Sequence, residues 1–125
     1  MLSNKDAMAT IAVKNLKRAR EFYEDTLQLS PTGEQGEEAI TYKSGNSQVV
    51  VYESKFAGTN QATAATWGLG SKLEDTVKEL KRAGITFEHY DFLGAKLDGD
   101  IHTFGDFRAA WFKDPDGNIL HINNG

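Results

Sequence analysis

The feature that most constrains this chain lies near its C-terminus. It is the run Ala109–Ala110–Trp111–Phe112–Lys113, then Asp114–Pro115–Asp116–Gly117–Asn118, then Ile119–Leu120–His121–Ile122. Two apolar runs flank a turn in which Pro115 presets φ at the first corner, Asp114 and Asp116 can accept from nearby backbone N–H groups, and Gly117 tolerates positive φ. The stretch reads as a β-hairpin. A type I turn closed by a G1 bulge at Gly117 sets Asp114 opposite Asn118 and Trp111 opposite His121. Strand alternation then places Ala109, Trp111, Ile119, His121 and Asn123 on one face, and Ala110, Phe112, Leu120 and Ile122 on the other. The second face is wholly apolar and is expected to pack on helices. The first mixes an indole, an imidazole and an amide, which is the character of a pocket wall.

The 125 residues are enough for one domain with a core of its own. Met8–Val13 reads as a strand, and Asn15 as the cap of an amphipathic helix reaching about Gln28, with Leu16, Ala19, Tyr23 and Leu27 on its apolar side. Pro31 and Gly33 end that helix and open a connection. Glu37–Lys43 and Gln48–Glu53 form a hairpin around Ser44–Gly45–Asn46–Ser47, with Val49, Val51 and Glu53 on one face and Val50 and Tyr52 on the other. Ser54 to Thr63 loses all periodicity and reads as a linker. Ala64–Gly70 restarts the pattern as a strand. Ser71–Lys72–Leu73–Glu74 has the form of a capping box before a helix striped by Leu73, Val77 and Leu80, with Gly84 as its C-cap. Ile85–Phe92 reads as another strand and Gly94–Asp106 as a long loop able to cover a site. The order of elements repeats at an offset of about 57 residues, Asn15–Leu16 matching Lys72–Leu73.

Charge and composition exclude several partners. A net charge of −4 with interspersed signs argues against nucleic acid. The one basic cluster, Lys14, Lys17, Arg18 and Arg20, is followed by Glu21 and Glu24 at helix-pairing distances and reads as a solvated face. There is no cysteine, and no apolar run is long enough to span a membrane, so a cytoplasmic protein is expected.

The turn Asp114–Pro115–Asp116–Gly117–Asn118 with its alternating flanks resembles the closing hairpin of the vicinal oxygen chelate superfamily. That group holds glyoxalase I, extradiol dioxygenases, and the fosfomycin and bleomycin resistance proteins. The run from Ile11 to Tyr23, with Leu27 and Leu29 after it, is similar to the same family's opening strand and helix. The resemblance implies an α+β fold of two tandem βαβββ modules, about 6–54 and about 64–125 around a linker at about 55–63. Their mixed β-sheets would curl into a cup with helices outside and the ligand inside. It also implies a homodimer, as edge strands left open in such a sheet favour pairing.

Metal-dependent members of that superfamily hold one divalent ion with a His in the first strand of each module and an acidic or related ligand in the last. Here those positions fall on Met8, on Ala65 with Ala64 and Thr66 beside it, on Val51 with Glu53 two residues along, and on His121. One good ligand of four does not hold an ion, so neither a metal nor any other cofactor is expected. His102, placed in the loop, could approach His121, and His89 reads as a rim imidazole.

The first functional expectation is therefore a metal-independent binding protein. Its aromatic or apolar small-molecule ligand would meet Trp111, His121, Trp67, Glu53 and Tyr90, with Phe92 and Phe107 as further aromatic candidates. The alternative is a glyoxalase-like lyase or isomerase using His121 as general base or as part of a metal site. A third is an accessory dimer without a ligand.

Overall fold

The structure, a computed structural model, describes residues 1–34, 38–92 and 94–125. Its contacts divide the chain into two units, Met1–Thr59 and Asn60–Gly125.

In the first unit β1 (Ala9–Val13) leads into α1 (Leu16–Arg20), which continues as a π-helical turn over Glu21–Thr26. Then follow β2 (Ser30–Glu34), β3 (Ala39–Ser44) and β4 (Ser47–Glu53), in the sheet order β1-β4-β3-β2. β1 runs parallel to β4, and the remaining pairs are antiparallel. The registers Ile11↔Val51 and Ile40↔Val51 put Ile11, Val13, Ile40, Tyr42, Val49 and Val51 on one face, and all six are buried. Each fully buried side chain of this size contributes about 1.5–3 kcal/mol. α1 starts because Asn15 Oδ1 accepts the Arg18 N–H at 2.9 Å and Glu53 Oε1 accepts the Leu16 N–H at 3.2 Å, two of the donors that a helix start leaves open.

Two expectations for this unit change. The helix expected to run regularly to about Gln28 widens after Arg20. The Leu27 N–H reaches Phe22 O, and the chain leaves through Gln28 at φ 62. The supposed connection at Pro31 and Gly33 is strand β2, whose register shifts between those residues. Proline is admitted there because β2 is an edge strand, where one side of the backbone has no ladder partner. Glu37, at the start of the expected strand 37–43, lies outside the described residues.

The second unit runs β5 (Thr63–Gly68), α2 (Leu73–Arg82), β6 (Phe87–Glu88), β7 (Lys96–Asp98), β8 (Ile101–Phe104), β9 (Phe107–Lys113) and β10 (Ile119–Asn123). Its sheet order is β5-β10-β9-β8-β7, and β6 pairs with the part of β9 beyond the end of β8. β5 is parallel to β10, as β1 is to β4. The fold is α+β, two tandem modules of the βαβββ kind, the second enlarged by β6 and β7.

The closing hairpin has the expected register, with Trp111 opposite His121 and Phe112 opposite Leu120. Gly117 sits at φ 88 and donates its N–H to Asp114 O. Asp114, itself buried, accepts the N–H groups of Asp116 and Asn118 through Oδ1 and the Asn118 amide through Oδ2. Ala110, Phe112, Leu120 and Ile122 are all buried, as are Leu73, Val77 and Leu80 of α2. That helix ends in a Schellman motif at Gly84, φ 97, where the Gly84 and Ile85 N–H groups return to Lys81 O and Leu80 O.

Three expectations in this unit need correction. The capping box is absent: a 3-10 turn over Gly70–Lys72 precedes α2, no side chain caps it, and the Glu74 carboxylate pairs with Arg108. The strand expected over Ile85–Phe92 is only Phe87–Glu88, because the rest of that edge of β9 is taken by β8. The loop expected over Gly94–Asp106 is in fact the hairpin β7–β8.

Candidate functional site

The face of the second sheet opposite its apolar core carries a run of rings. The registers His121↔Thr66, His121↔Trp111 and His102↔Ala109 put Thr66, His102, Phe104, Phe107, Trp111 and His121 on that face. The Trp111 indole and the His121 imidazole lie flat on each other, centroids 4.5 Å apart and planes 4° from parallel. Around Trp111 stand His102 edge-on at 5.1 Å, Phe92 at 5.1 Å and Tyr90 edge-on at 5.7 Å. Phe107 reaches His121 at 6.4 Å. Such offset and edge-to-face contacts add to what burial of the rings supplies.

Beside this cluster is a cleft of about 440 Å³ lined by Tyr90, Phe92 and Trp111, with Gln61, Thr63 and Asp91 among its polar members. That volume falls within the range of small-molecule sites. A second cleft, of about 280 Å³ and lined also by Leu97 and His102, shares the segment Tyr90–Asp91–Phe92 with the first.

The polar atoms among these rings are under-used. His121 Nδ1 is 3.4 Å from the Thr66 hydroxyl, while its Nε2 is buried without a partner. Burial pushes the His121 pKa down, so the ring is neutral at pH 7. The Tyr90 hydroxyl is also buried and unpartnered, and burial, reinforced by the Glu88 charge, pushes its pKa up, so it remains a neutral phenol. His102 is almost wholly buried. Its Nε2 lies 2.9 Å from the Tyr90 N–H, and its Nδ1 has no partner.

The structure therefore brings Trp111, His121 and Tyr90 together. Trp67 is elsewhere, since it registers with Ile122 and occupies the opposite face of the sheet. Glu53 belongs to the first unit, where its carboxylate holds the start of α1. His89 is a half-exposed residue bonded to Asp100 at 2.7 Å, with Lys81 on the other oxygen of that carboxylate at 2.8 Å. His102 and Phe104 join the site because their segment is strand β8. The alternation Ile101–His102–Thr103–Phe104 carried that signal, but over only four residues.

The ligand positions implied by the resemblance do not fit a metal. Val51 and Ala65 both sit on core faces, Val51 beside Ile11 and Ala65 beside Leu120, and Met8 is half-exposed ahead of β1. The residue of β5 that stands opposite His121 is Thr66. Among the described residues no group of three or more His, Asp or Glu side chains stands together. An imidazole and a neutral hydroxyl do not make a divalent-ion site.

A family model described as Glyoxalase/Bleomycin resistance protein/Dioxygenase superfamily matches residues 7–122. No curated protein matches the chain. Among solved structures, a glyoxalase family protein from Enterococcus faecalis is 18% identical at a TM-score of 0.74, covering 98% of this chain and 99% of that one. A fosfomycin resistance protein from Listeria monocytogenes, in its hexagonal form, is 13% identical at a TM-score of 0.73, with 100% and 95% covered. Lactoylglutathione lyase from Agrobacterium tumefaciens is 13% identical at 0.71, with 95% and 92% covered.

Proposed function

We propose that this chain, which belongs to the glyoxalase/bleomycin resistance protein/dioxygenase superfamily, is a metal-independent binding protein for a planar aromatic or apolar small molecule. The observation that carries the reading is the parallel stack of Trp111 on His121 beside a cleft of about 440 Å³ walled by Tyr90, Phe92 and Trp111. Flat rings of this kind stack on flat ligands. The unpartnered Tyr90 hydroxyl and His121 Nε2 supply the few polar groups that would orient one. Among the described residues no carboxylate bonds to His121 or raises its basicity, which favours binding over proton abstraction.

The test uses the Trp67→Phe protein, in which Trp111 is the sole tryptophan. Planar quinones, heteroaromatic antibiotics and dicarbonyl compounds are titrated against its fluorescence. Saturable quenching at one site per chain is expected, and a panel that leaves the emission unchanged overturns the proposal. A lyase or isomerase reading rests on the neutral His121 ring with its free Nε2. Under that reading His121→Ala abolishes turnover of a dicarbonyl while affinity is kept.

The protein is proposed to act as a homodimer, in line with edge strands β2 and β7, each hydrogen-bonded on one side only. Light scattering at the monomer mass of 13.8 kDa would contradict this. A cytoplasmic setting accompanies the reading. It is supported by the lack of cysteine, and among the described residues no helix is long and apolar enough to cross a membrane.

A further inference from the structure

We infer that His102 is a positioning residue for this cleft: its buried ring holds the Tyr90–Asp91–Phe92 segment in place and so gives the aromatic wall its shape. The inference rests on the binding reading above, but its argument is structural. β6 ends at Glu88, paired with Trp111, and the next stretch of the β9 edge is occupied by β8 through His102↔Ala109. The chain from His89 to Phe92 therefore leaves the sheet with no ladder to hold it. Two of the rings that line the cleft, Tyr90 and Phe92, are on that unladdered segment.

His102 takes the place of the missing ladder. Its Nε2 faces both backbone groups of Tyr90, with the N–H at 2.9 Å and the carbonyl at 3.2 Å. Its ring is stacked on the Tyr90 ring at 6.3 Å, meets Phe92 at 5.7 Å and stands edge-on to Trp111 at 5.1 Å. One side chain thus touches every aromatic member of the wall. A phenylalanine or leucine would fill the same buried place without the cost of desolvating an imidazole, so the nitrogen's value lies in the backbone bond. Because Tyr90–Asp91–Phe92 lines both the 440 Å³ and the 280 Å³ cleft, letting it shift changes the shape of both. Two other hydrogen bonds tie this segment, His89 to Asp100 at its half-exposed end and the Ala95 N–H to Phe92 O at 3.2 Å, and neither reaches Tyr90.

The experiment compares His102→Phe, which keeps the ring but loses the nitrogen, with His102→Gln, whose amide can accept from the Tyr90 N–H or donate to its carbonyl. Both are made in the Trp67→Phe background, with 1,4-naphthoquinone as the probe and Trp111 quenching as the readout. The chain has no cysteine for the quinone to alkylate. His102→Phe is expected to fold and to weaken the probe by about tenfold or more, and His102→Gln to restore affinity to within about threefold of the parent. A His102→Phe protein that binds as the parent does, or a His102→Gln protein as weak as His102→Phe, overturns the inference. Amide hydrogen exchange in the unsubstituted protein gives a reading that needs neither variant nor ligand. The Tyr90 amide should exchange far more slowly than that of Asp91, and equal rates overturn the inference even if His102→Phe fails to fold. A parent that does not bind any probe defeats the binding proposal alone, and the Tyr90 amide still decides this one.

Discussion

The two units share one topology, a first strand lying parallel beside the last, and differ in what they place on it. In both, one sheet face is apolar and buried: Ile11, Ile40 and Val51 in the first, Phe112, Leu120 and Ile122 in the second. The opposite face of the first sheet carries Thr10, Ala12, Thr41, Lys43, Gln48 and Val50, with Tyr52 the one aromatic ring among its described residues. The same face of the second carries two imidazoles, an indole and two phenylalanines. The helices differ in the same sense. α2 is regular and closes on Gly84, whereas α1 widens into a π turn and exits through Gln28 in a left-handed conformation. A shared backbone therefore sets where a site can be, and the residues at alternate strand positions decide which copy carries it.

That contrast can be broken or sharpened by substitution. The largest effect is expected on the shared feature, the core face. Phe112→Ala should cost about 3–5 kcal/mol and Ile40→Ala about 2–5 kcal/mol in chemical denaturation. A loss below 1 kcal/mol at either would mean that the two cores are not equivalent. On the feature that is not shared, His121→Ala should leave the melting temperature nearly unchanged while reducing the affinity of a quenching ligand by about 1–3 kcal/mol through an unpaired polar group. Gly117→Val should destabilise by roughly 1–2 kcal/mol, since a β-branched residue resists the φ of 88 found there. Unchanged stability would show that the bulge does not fix the last strand.

Acid gives a smaller effect confined to the second unit. Hydrogen bonds from Lys81 and then His89 hold the Asp100 carboxyl below its ordinary 3.8, against a lesser opposing push from burial. The stability this supplies is complete above 3.8 and is lost as the pH falls from there through the folded-state value. Asp100→Asn should flatten that part of the melting profile, and an identical profile would show that the contact adds nothing. The smallest effect is a gain in the first unit. Gln28→Gly should stabilise by roughly 0.5 kcal/mol, making the end of the first helix resemble the end of the second.

The sequence was most readable where one local rule settled the geometry. Asp114, Pro115 and Gly117 define the turn, the turn defines the register, and the register places Trp111 against His121. Leu73, Val77 and Leu80 likewise define a stripe that only a helix satisfies. What escaped depends on partners far away in the chain. β2 contains a proline and a glycine and is a strand only because β3 pairs with it. β7 and β8 sit among glycines and charges, and β8 is strand only because β9 offers an edge. Glu74 fits a capping box by spacing, yet the 3-10 turn displaces the helix start and Arg108 takes the carboxylate. Trp67 looked like a site residue from composition, and only its pairing with Ile122 shows which face it occupies.

The parallel pairing of β5 with β10 also bears on the order of folding. Thr66 and His121 are 55 positions apart, so that contact closes a long loop, whereas the hairpin of β9 and β10 closes around five residues. Loop closure is costlier and slower for distant partners. The hairpin, and with it the stack of Trp111 on His121, is thus expected to form before β5 is in place. In a refolding experiment on the Trp67→Phe protein, the change in Trp111 emission on stacking against His121 would appear in an earlier phase than protection of the β5 amides.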